Sequence, residues 1–131
     1  MSDVSDETRS RIDADPYCET LGIDIVELEV RFARAELTIT EDLLNFHGTP
    51  HGAAIYSLAD AAFAAASNSD GDAAVGLEAN ISYLEAADTG ETIAATAEET
   101  HSSDRTAEYE IIVLGEDGNR IATFRGRVYR P

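Results

Sequence analysis

The stretch from residue 53 to residue 66 constrains the fold of this chain more than any other part of its sequence. It is almost entirely small or apolar, and no Gly or Pro interrupts it. Because alanine has the highest helix propensity, the stretch predicts a helix, of about five turns. Thr49 is the predicted N-cap and Pro50 the predicted first helical residue, where proline loses no helical hydrogen bond. A helix that is apolar on all sides belongs in the interior of a domain.

Asp60 is the one charged residue within this stretch. A carboxylate on a buried helix costs free energy unless it is paired or serves a function. We therefore predict a catalytic carboxylate in a partly dry site, with a paired or solvent-edge aspartate as the alternative. The helix is not predicted to cross a membrane, because a span takes about 20 apolar residues.

Short β-rich runs on both sides of the helix predict an antiparallel sheet. Two strands fall within 23–40, with a turn near 31–34, and four more are predicted at 73–84, 91–100, 105–114 and 120–129. In the first of these four, the odd-numbered residues from Val75 to Tyr83 are predicted to share one face. The apolar face of such a sheet must be covered, and the helix is the available filling. The fold class is therefore α+β, with five to six strands wrapped around one long central helix.

The ends of the chain and its single cysteine carry weaker signals. Residues 1–20 are predicted to be an acidic N-terminal segment with a short helix over 6–14, stopped before Pro16, and residues 21–131 a single domain. Cys18 is alone, so we expect a small buried residue and not a nucleophile. The N-terminus lacks the basic and apolar regions of a signal peptide, and a cytoplasmic location is expected.

The charge balance excludes some partners. The chain has 26 acidic residues against 9 basic ones, all of them arginine, and a formal net charge of −17. Nucleic acid and anionic membranes are therefore poor partners. The composition is typical of proteins from salt-accumulating halophiles. At 1 M salt the Debye length is about 3 Å, which screens repulsion between surface carboxylates, so the fold is predicted to weaken in low salt.

A set of motifs around the helix resembles the hotdog-fold acyl-CoA thioesterases, in particular the phenylacetic acid degradation (PaaI-like) subfamily. The likeness covers about residues 21–130. Its central pattern is Asn45-x-His47-Gly48-x-x-His51-Gly52, followed by Leu58-Ala59-Asp60-x-Ala62-Phe63 and Asn68-Ser69. Further matches are Ile81-x-Tyr83-Leu84, Gly90-Glu91-x-Ile93 and Phe124-Arg125-Gly126.

The resemblance implies hydrolysis of an acyl-CoA thioester, aryl-acetyl or hydroxylated aryl-acetyl, to acid and CoA. It assigns the carbonyl-binding N–H to Gly52, the nucleophile or general base to Asp60, and a positioning role to Asn45. It also implies a homodimer or homotetramer whose site is shared between subunits, with no metal or redox cofactor.

The spacing of two of these residues independently supports a shared site. Gly52 and Asp60 are eight residues apart, about 12 Å along a helix. One helix therefore cannot bring both onto the same carbonyl, whereas two antiparallel helices at a twofold axis can. A helix N-terminus suits the negative charge that develops on a carbonyl oxygen.

The sequence departs from the subfamily pattern at two places. Ala53 replaces the second glycine of the usual His-Gly-Gly. The Ser or Thr that some relatives carry near the carboxylate is absent, with Ala64 on the helix and Gly76 on the strand. Ser67, Asn68 or Tyr83 are the candidates to position water. His51 is expected to shape the loop and to contact the substrate, with a general base as its alternative role. Arg105 and Arg125 are the leading candidates, with Arg127 and Arg130, to bind the CoA phosphates.

Three alternative functions use the same residues. His47 and His51 with Asp60 could suggest a metal site, but Pro50 sets His47 apart and a further ligand is missing, so none is predicted. A hotdog hydratase with a catalytic histidine would need a different motif. A non-catalytic acyl-CoA-binding module would not need Asp60.

Overall fold

The computed structural model describes residues 3–131, which form a six-stranded antiparallel sheet curved around one long helix. The helices are α1 (Asp6–Asp13), α2 (Pro16–Leu21) and α3 (Gly52–Ser67), with a single 3-10 turn at Glu41–Leu43. The strands are β1 (Asp24–Glu29), β2 (Phe32–Thr38), β3 (Val75–Tyr83), β4 (Thr92–Ser102), β5 (Thr106–Leu114) and β6 (Arg120–Tyr129). Their order in the sheet is β1-β2-β4-β5-β6-β3, so β1 and β3 are its edges. The predicted α+β hotdog architecture is confirmed.

The core lies between α3 and the inner face of the sheet. Leu58, Ala59 and Ala62 of the helix have no exposed surface. Large side chains from the central strands cover them and are themselves fully buried, among them Leu37, Ile93, Tyr109, Ile111 and Phe124. Burying each such side chain stabilises the fold by roughly 1.5–3 kcal/mol, so the apolar helix and the sheet depend on each other.

Helix α3 begins later than the sequence predicted, and its cap is different. Its N-cap is His51, and the predicted N-cap Thr49 and first residue Pro50 lie outside it. The reason is a closed loop before the helix. Pro50 forms a β-bridge with Leu44, and the carbonyl of Thr49 accepts a hydrogen bond from the Asn45 N–H at 2.8 Å, which holds both residues out of the helix. The helix has 16 residues, about four and a half turns.

Strand β3 contains a bulge that the alternation did not predict. Its register against β6 shifts between Gly76 and Glu78. Gly76 therefore pairs with the inward-facing Val128, and Val75 lies opposite Tyr129 on the outer face. The prediction that Val75 shares a face with Ile81 is wrong, because one extra residue in a strand reverses the side chains that precede it.

The N-terminal segment packs onto the domain through α1 and α2. The helix predicted over 6–14 corresponds to α1, while α2 begins at Pro16, which the sequence had marked only as a stop. Thr8 and Cys18 are buried, and the Arg9 guanidinium donates to the Leu28 carbonyl at 3.1 Å. Residues 1 and 2 of the predicted acidic segment lie outside the described residues.

Candidate active site

The N-terminus of α3 presents a free backbone donor at Gly52. The first N–H groups of a helix have no partner within it. The His51 side chain satisfies one of them, because its Nδ1 accepts from the Ala53 N–H at 3.0 Å. Within residues 3–131 the Gly52 N–H has no acceptor. His51 thus shapes the helix start, as predicted, and leaves the Gly52 donor available to a ligand.

Tyr83 of β3 lies directly against Gly52. Its hydroxyl donates to the Gly52 carbonyl oxygen at 2.9 Å. A Cβ at Gly52 would lie 3.2 Å from the Tyr83 hydroxyl oxygen, so the absence of a side chain permits this packing. The pKa of Tyr83 is raised, firstly by burial and secondly by the neighbouring Tyr56, and the hydroxyl therefore stays protonated as a donor.

A groove of about 330 Å³ opens at this end of the helix. It is lined by Gly52 and Tyr83 together with Thr49, Pro50, Ile55 and the segment 84–87. The positive end of the helix dipole lies at the same place. A carbonyl oxygen in this groove could therefore reach the Gly52 N–H.

Asn45 organises the loop before α3. Its Oδ1 accepts hydrogen bonds from the His47 N–H at 2.9 Å, the Thr49 N–H at 3.2 Å and the Thr49 hydroxyl at 3.1 Å. Within residues 3–131 its Nδ2 has no acceptor. The side chain is thus held by its oxygen, and its two amide hydrogens can donate to a bound molecule.

Asp60 lies two turns further along α3 and faces α2. The residue is exposed in the single subunit, so the partly dry site predicted for it is not found within one chain. Nearby protein atoms still remove part of its hydration. That desolvation is the larger cause that raises the pKa of Asp60, and the Asp15 carboxylate is the second.

The sequence does not predict two features of α2 that lie near Asp60. Asp15 is the N-cap of α2, and the Tyr17 hydroxyl forms a hydrogen bond of 2.9 Å with the Ser57 hydroxyl, one turn before Asp60. Asp15 before Pro16 is a recognisable N-cap signal for α2, but nothing in the sequence indicates that α2 packs beside Asp60.

The other predicted site residues lie elsewhere in the subunit. Ser67 is buried and donates to the Ala64 carbonyl at 3.3 Å, and Asn68 is the C-cap of α3, so both lie at the opposite end of the helix from Gly52. Arg105 is exposed in the turn before β5, and Arg125 is exposed on β6 between the inward-facing Phe124 and Gly126. Within residues 3–131 neither arginine forms an ion pair, whereas Arg127 pairs with Glu78 at 3.2 Å.

Neither a metal cluster nor a membrane helix is found in the described part of the chain. No group of three His, Cys, Asp or Glu residues in 3–131 could hold a metal ion. No helix in the same range has both the length and the apolar character needed to cross a membrane. The cytoplasmic location stays a prediction.

The antiparallel sheet curved around one central helix is the hotdog fold. The sequence pattern of the thioesterase superfamily matches residues 47–122, more than half of the chain. The protein belongs to this superfamily, and it is a thioester hydrolase.

Relatives within the superfamily cover most of the chain. The acyl-coenzyme A thioesterase PaaI of Escherichia coli is 39% identical over 116 residues, which are 88% of this chain and 83% of that protein. The structure of the E. coli PaaI protein from the phenylacetic acid degradation operon superposes with a TM-score of 0.89 at 36% identity, covering 94% of this chain and 89% of that one. A mutant of the phenylacetic acid degradation protein PaaI from Thermus thermophilus superposes with a TM-score of 0.86 at 39% identity, covering 89% of this chain and 100% of that one.

Proposed function

We propose that this thioesterase hydrolyses aryl-acetyl or hydroxylated aryl-acetyl CoA to the free acid and CoA. The observation that carries the proposal is the unpartnered Gly52 N–H at the start of α3, beside a groove that a thioester carbonyl can enter. The names of the E. coli relative and of its structure support CoA thioesters as the substrate class and an aryl-acetyl acyl group.

The chemistry follows from the donors and the carboxylate. The thioester carbonyl oxygen accepts a hydrogen bond from the Gly52 N–H, and the helix dipole stabilises the negative charge that develops on that oxygen. The Asn45 amide hydrogens orient the thioester or the attacking water. Asp60 either removes a proton from that water, whose oxygen attacks the carbonyl carbon, or itself attacks this carbon and forms an acyl–aspartyl anhydride that water hydrolyses after CoA has left. The carbon–sulfur bond then breaks, and CoA leaves as the thiol after it takes up a proton. A single donor of this kind contributes about 10²–10³ in rate.

The proposed site uses two copies of the chain. Gly52 and Asp60 of one α3 are about 12 Å apart along the helix axis, so Asp60 must come from a second subunit. The edge strand β3 supports this arrangement, because Leu77 is 50% exposed, Tyr83 52% and the following Leu84 54%. An exposed edge with large apolar side chains is a surface for pairing with another chain. We therefore propose a homodimer whose interface is edge strand β3, and two such dimers could associate into a tetramer.

The other predicted site residues take no part in the reaction steps above. Arg105 and Arg125 are free of ion pairs within residues 3–131 and are the candidates for the CoA phosphates. Asn68 stays a predicted substrate contact, whereas Ser67 is 2% exposed with its hydroxyl bonded to the Ala64 carbonyl and cannot reach a substrate. No metal or redox cofactor is part of the proposed chemistry.

A panel of acyl-CoA thioesters tests the proposed function. Thiol release would be measured in about 2 M KCl, where repulsion between the surface carboxylates is screened. We expect the highest kcat/KM for phenylacetyl or hydroxyphenylacetyl CoA. No turnover of any thioester by a folded oligomer would contradict the proposal and favour an acyl-CoA-binding module.

A further inference from the structure

A second cavity, of about 260 Å³, lies between the N-terminal helices and the outer side of α3. One wall is formed by three alanines of α3 and the opposite wall by side chains of α1 and α2. Ile25 of β1 and Asn68, Gly71 and Ala73 after α3 complete the lining. The lining residues used below are Arg11, Asp15, Cys18, Ala61, Ala64 and Ala65. The N-terminal segment is therefore one wall of a cavity whose other wall is the helix that carries Asp60.

On α3, Asp60 is the neighbour of residues that line the cavity, although it does not line the cavity itself. Ala61 follows Asp60 in the chain, and Ala64 lies one turn further along the same face of α3. Asp15 and Cys18 line the cavity, and both interact electrostatically with Asp60. The hydrogen bond between Tyr17 and Ser57 fixes α2 against α3 at this point.

The dimensions and the lining fit an aryl group with a polar substituent. An apolar cavity of about 150 Å³ is enough for benzene, so this larger one has room for a ring and its methylene. The alanine wall offers a flat apolar surface. Opposite it, Arg11 has no ion pair within residues 3–131, and its guanidinium can donate to a ring hydroxyl.

We propose that this cavity binds the acyl group of the substrate, so that α1 and α2 set the acyl selectivity of the enzyme. The inference rests on the proposed thioesterase function, because it places the acyl group on the side of Asp60 away from the groove at Gly52. CoA would occupy the partner's groove, and the aryl ring would lie under the N-terminal helices.

Filling the cavity from its alanine wall tests the proposal. Ala64 is exposed, so the larger side chain of Ala64→Leu fills part of the cavity without entering the core. We expect kcat/KM for phenylacetyl CoA to fall about tenfold or more, while acetyl CoA, which needs no deep pocket, keeps its value within about twofold. Ala14→Leu is the matched control, because Ala14 is exposed on the same N-terminal segment and does not line the cavity.

A second variant tests the polar side of the cavity. Arg11→Met keeps a long side chain but removes the donors. We expect it to lower the ratio of kcat/KM for para-hydroxyphenylacetyl CoA to kcat/KM for phenylacetyl CoA, and an unchanged ratio would contradict a role for Arg11 in binding the ring hydroxyl.

Several outcomes would overturn the inference. An equal loss for all acyl groups in Ala64→Leu, no loss for the aryl substrate, or a changed oligomeric mass would each contradict an acyl pocket. If the wild type turns over no thioester, the proposed function fails by itself. The cavity is then tested by calorimetry, which compares the affinities for phenylacetyl CoA and acetyl CoA. The Ala64→Leu variant must bind phenylacetyl CoA more weakly than the wild type and acetyl CoA equally well.

Discussion

The Tyr83 hydroxyl donates a hydrogen bond of 2.9 Å to the carbonyl oxygen of Gly52, the first residue of α3. This contact connects edge strand β3 to the residue whose N–H is the proposed carbonyl donor. Because the Tyr83 ring lies against the bare Cα of Gly52, the position of the donor depends on the position of the strand.

Tyr83→Phe removes this hydrogen bond and keeps the ring. We expect the free energy of unfolding to fall by about 0.5–1.5 kcal/mol. We also expect kcat to fall about tenfold, equivalent to about 1.4 kcal/mol of transition-state stabilisation, because the donor is less firmly placed. Steady-state kinetics would measure this, with Tyr129→Phe as the control. Unchanged kcat would show that the Tyr83 hydroxyl does not position Gly52.

Asp15→Asn should shift the pH dependence of the reaction. The Asp15 carboxylate helps to raise the pKa of Asp60, so removing its charge lowers that pKa. Asp60 must be ionised to act, and the acid limb of kcat/KM should therefore move to lower pH. Asparagine keeps the Oδ1 that accepts from the Tyr17 and Cys18 N–H groups, so the cap of α2 survives.

Asp13→Asn is the control for this shift, because it also removes a carboxylate from the N-terminal segment and Asp13 is not among the causes of the Asp60 shift. An acid limb that stays in place or moves to higher pH in Asp15→Asn would contradict the assignment of Asp60.

Leu77→Asp should separate the subunits. Leu77 is 50% exposed at the bulge of β3, and a carboxylate there would be buried without a partner in the proposed interface. We expect monomer mass in light scattering and no turnover. Val26→Asp on the opposite edge strand, where Val26 is 43% exposed, should leave both unchanged. A Leu77→Asp protein with wild-type mass would place the interface elsewhere.

Melting in a KCl series tests the predicted dependence on salt. The chain has a net charge of −17, and its described residues form five ion pairs between side chains, so most of its 26 carboxylates have no cationic partner. Screening should therefore raise Tm steadily between low salt and 2 M KCl. A Tm that does not change with KCl would show that repulsion between carboxylates does not limit the stability.

The sequence predicted the elements well where one physical signal was dominant. The alanine-rich stretch predicted α3, and alternation predicted the six strands. Local signals failed where tertiary contacts decided the outcome. Pro50 has a preference for a helix start, but its bridge to Leu44 keeps it extended. The turn of the first hairpin has Arg31 at a φ of 66°, with neither Gly nor Pro, and the Ser69 hydroxyl accepts its N–H at 2.7 Å.

The same distinction applies to the candidate site. The sequence alone makes Gly52 a candidate, because a helix start leaves free N–H groups, and Asp60 a candidate, because a charge is unusual on an apolar helix. The electrostatic influence of Asp15 on Asp60 and the hydrogen bond of Tyr83 to Gly52 join segments far apart in the chain. Periodicity and local motifs do not report which segments pack against each other, and those contacts required the structure.

The central claim is that Asp60 carries out the hydrolysis, and Asp60→Asn tests it most directly. Because the pKa of Asp60 is raised in the folded protein, its charge opposes folding above that pKa, and the asparagine variant should melt at the same or a higher temperature at neutral pH. We expect kcat for phenylacetyl CoA to fall about 10²–10⁴-fold with the affinity for the substrate retained. Wild-type turnover by a folded Asp60→Asn dimer would contradict the account and move the catalytic role to another residue.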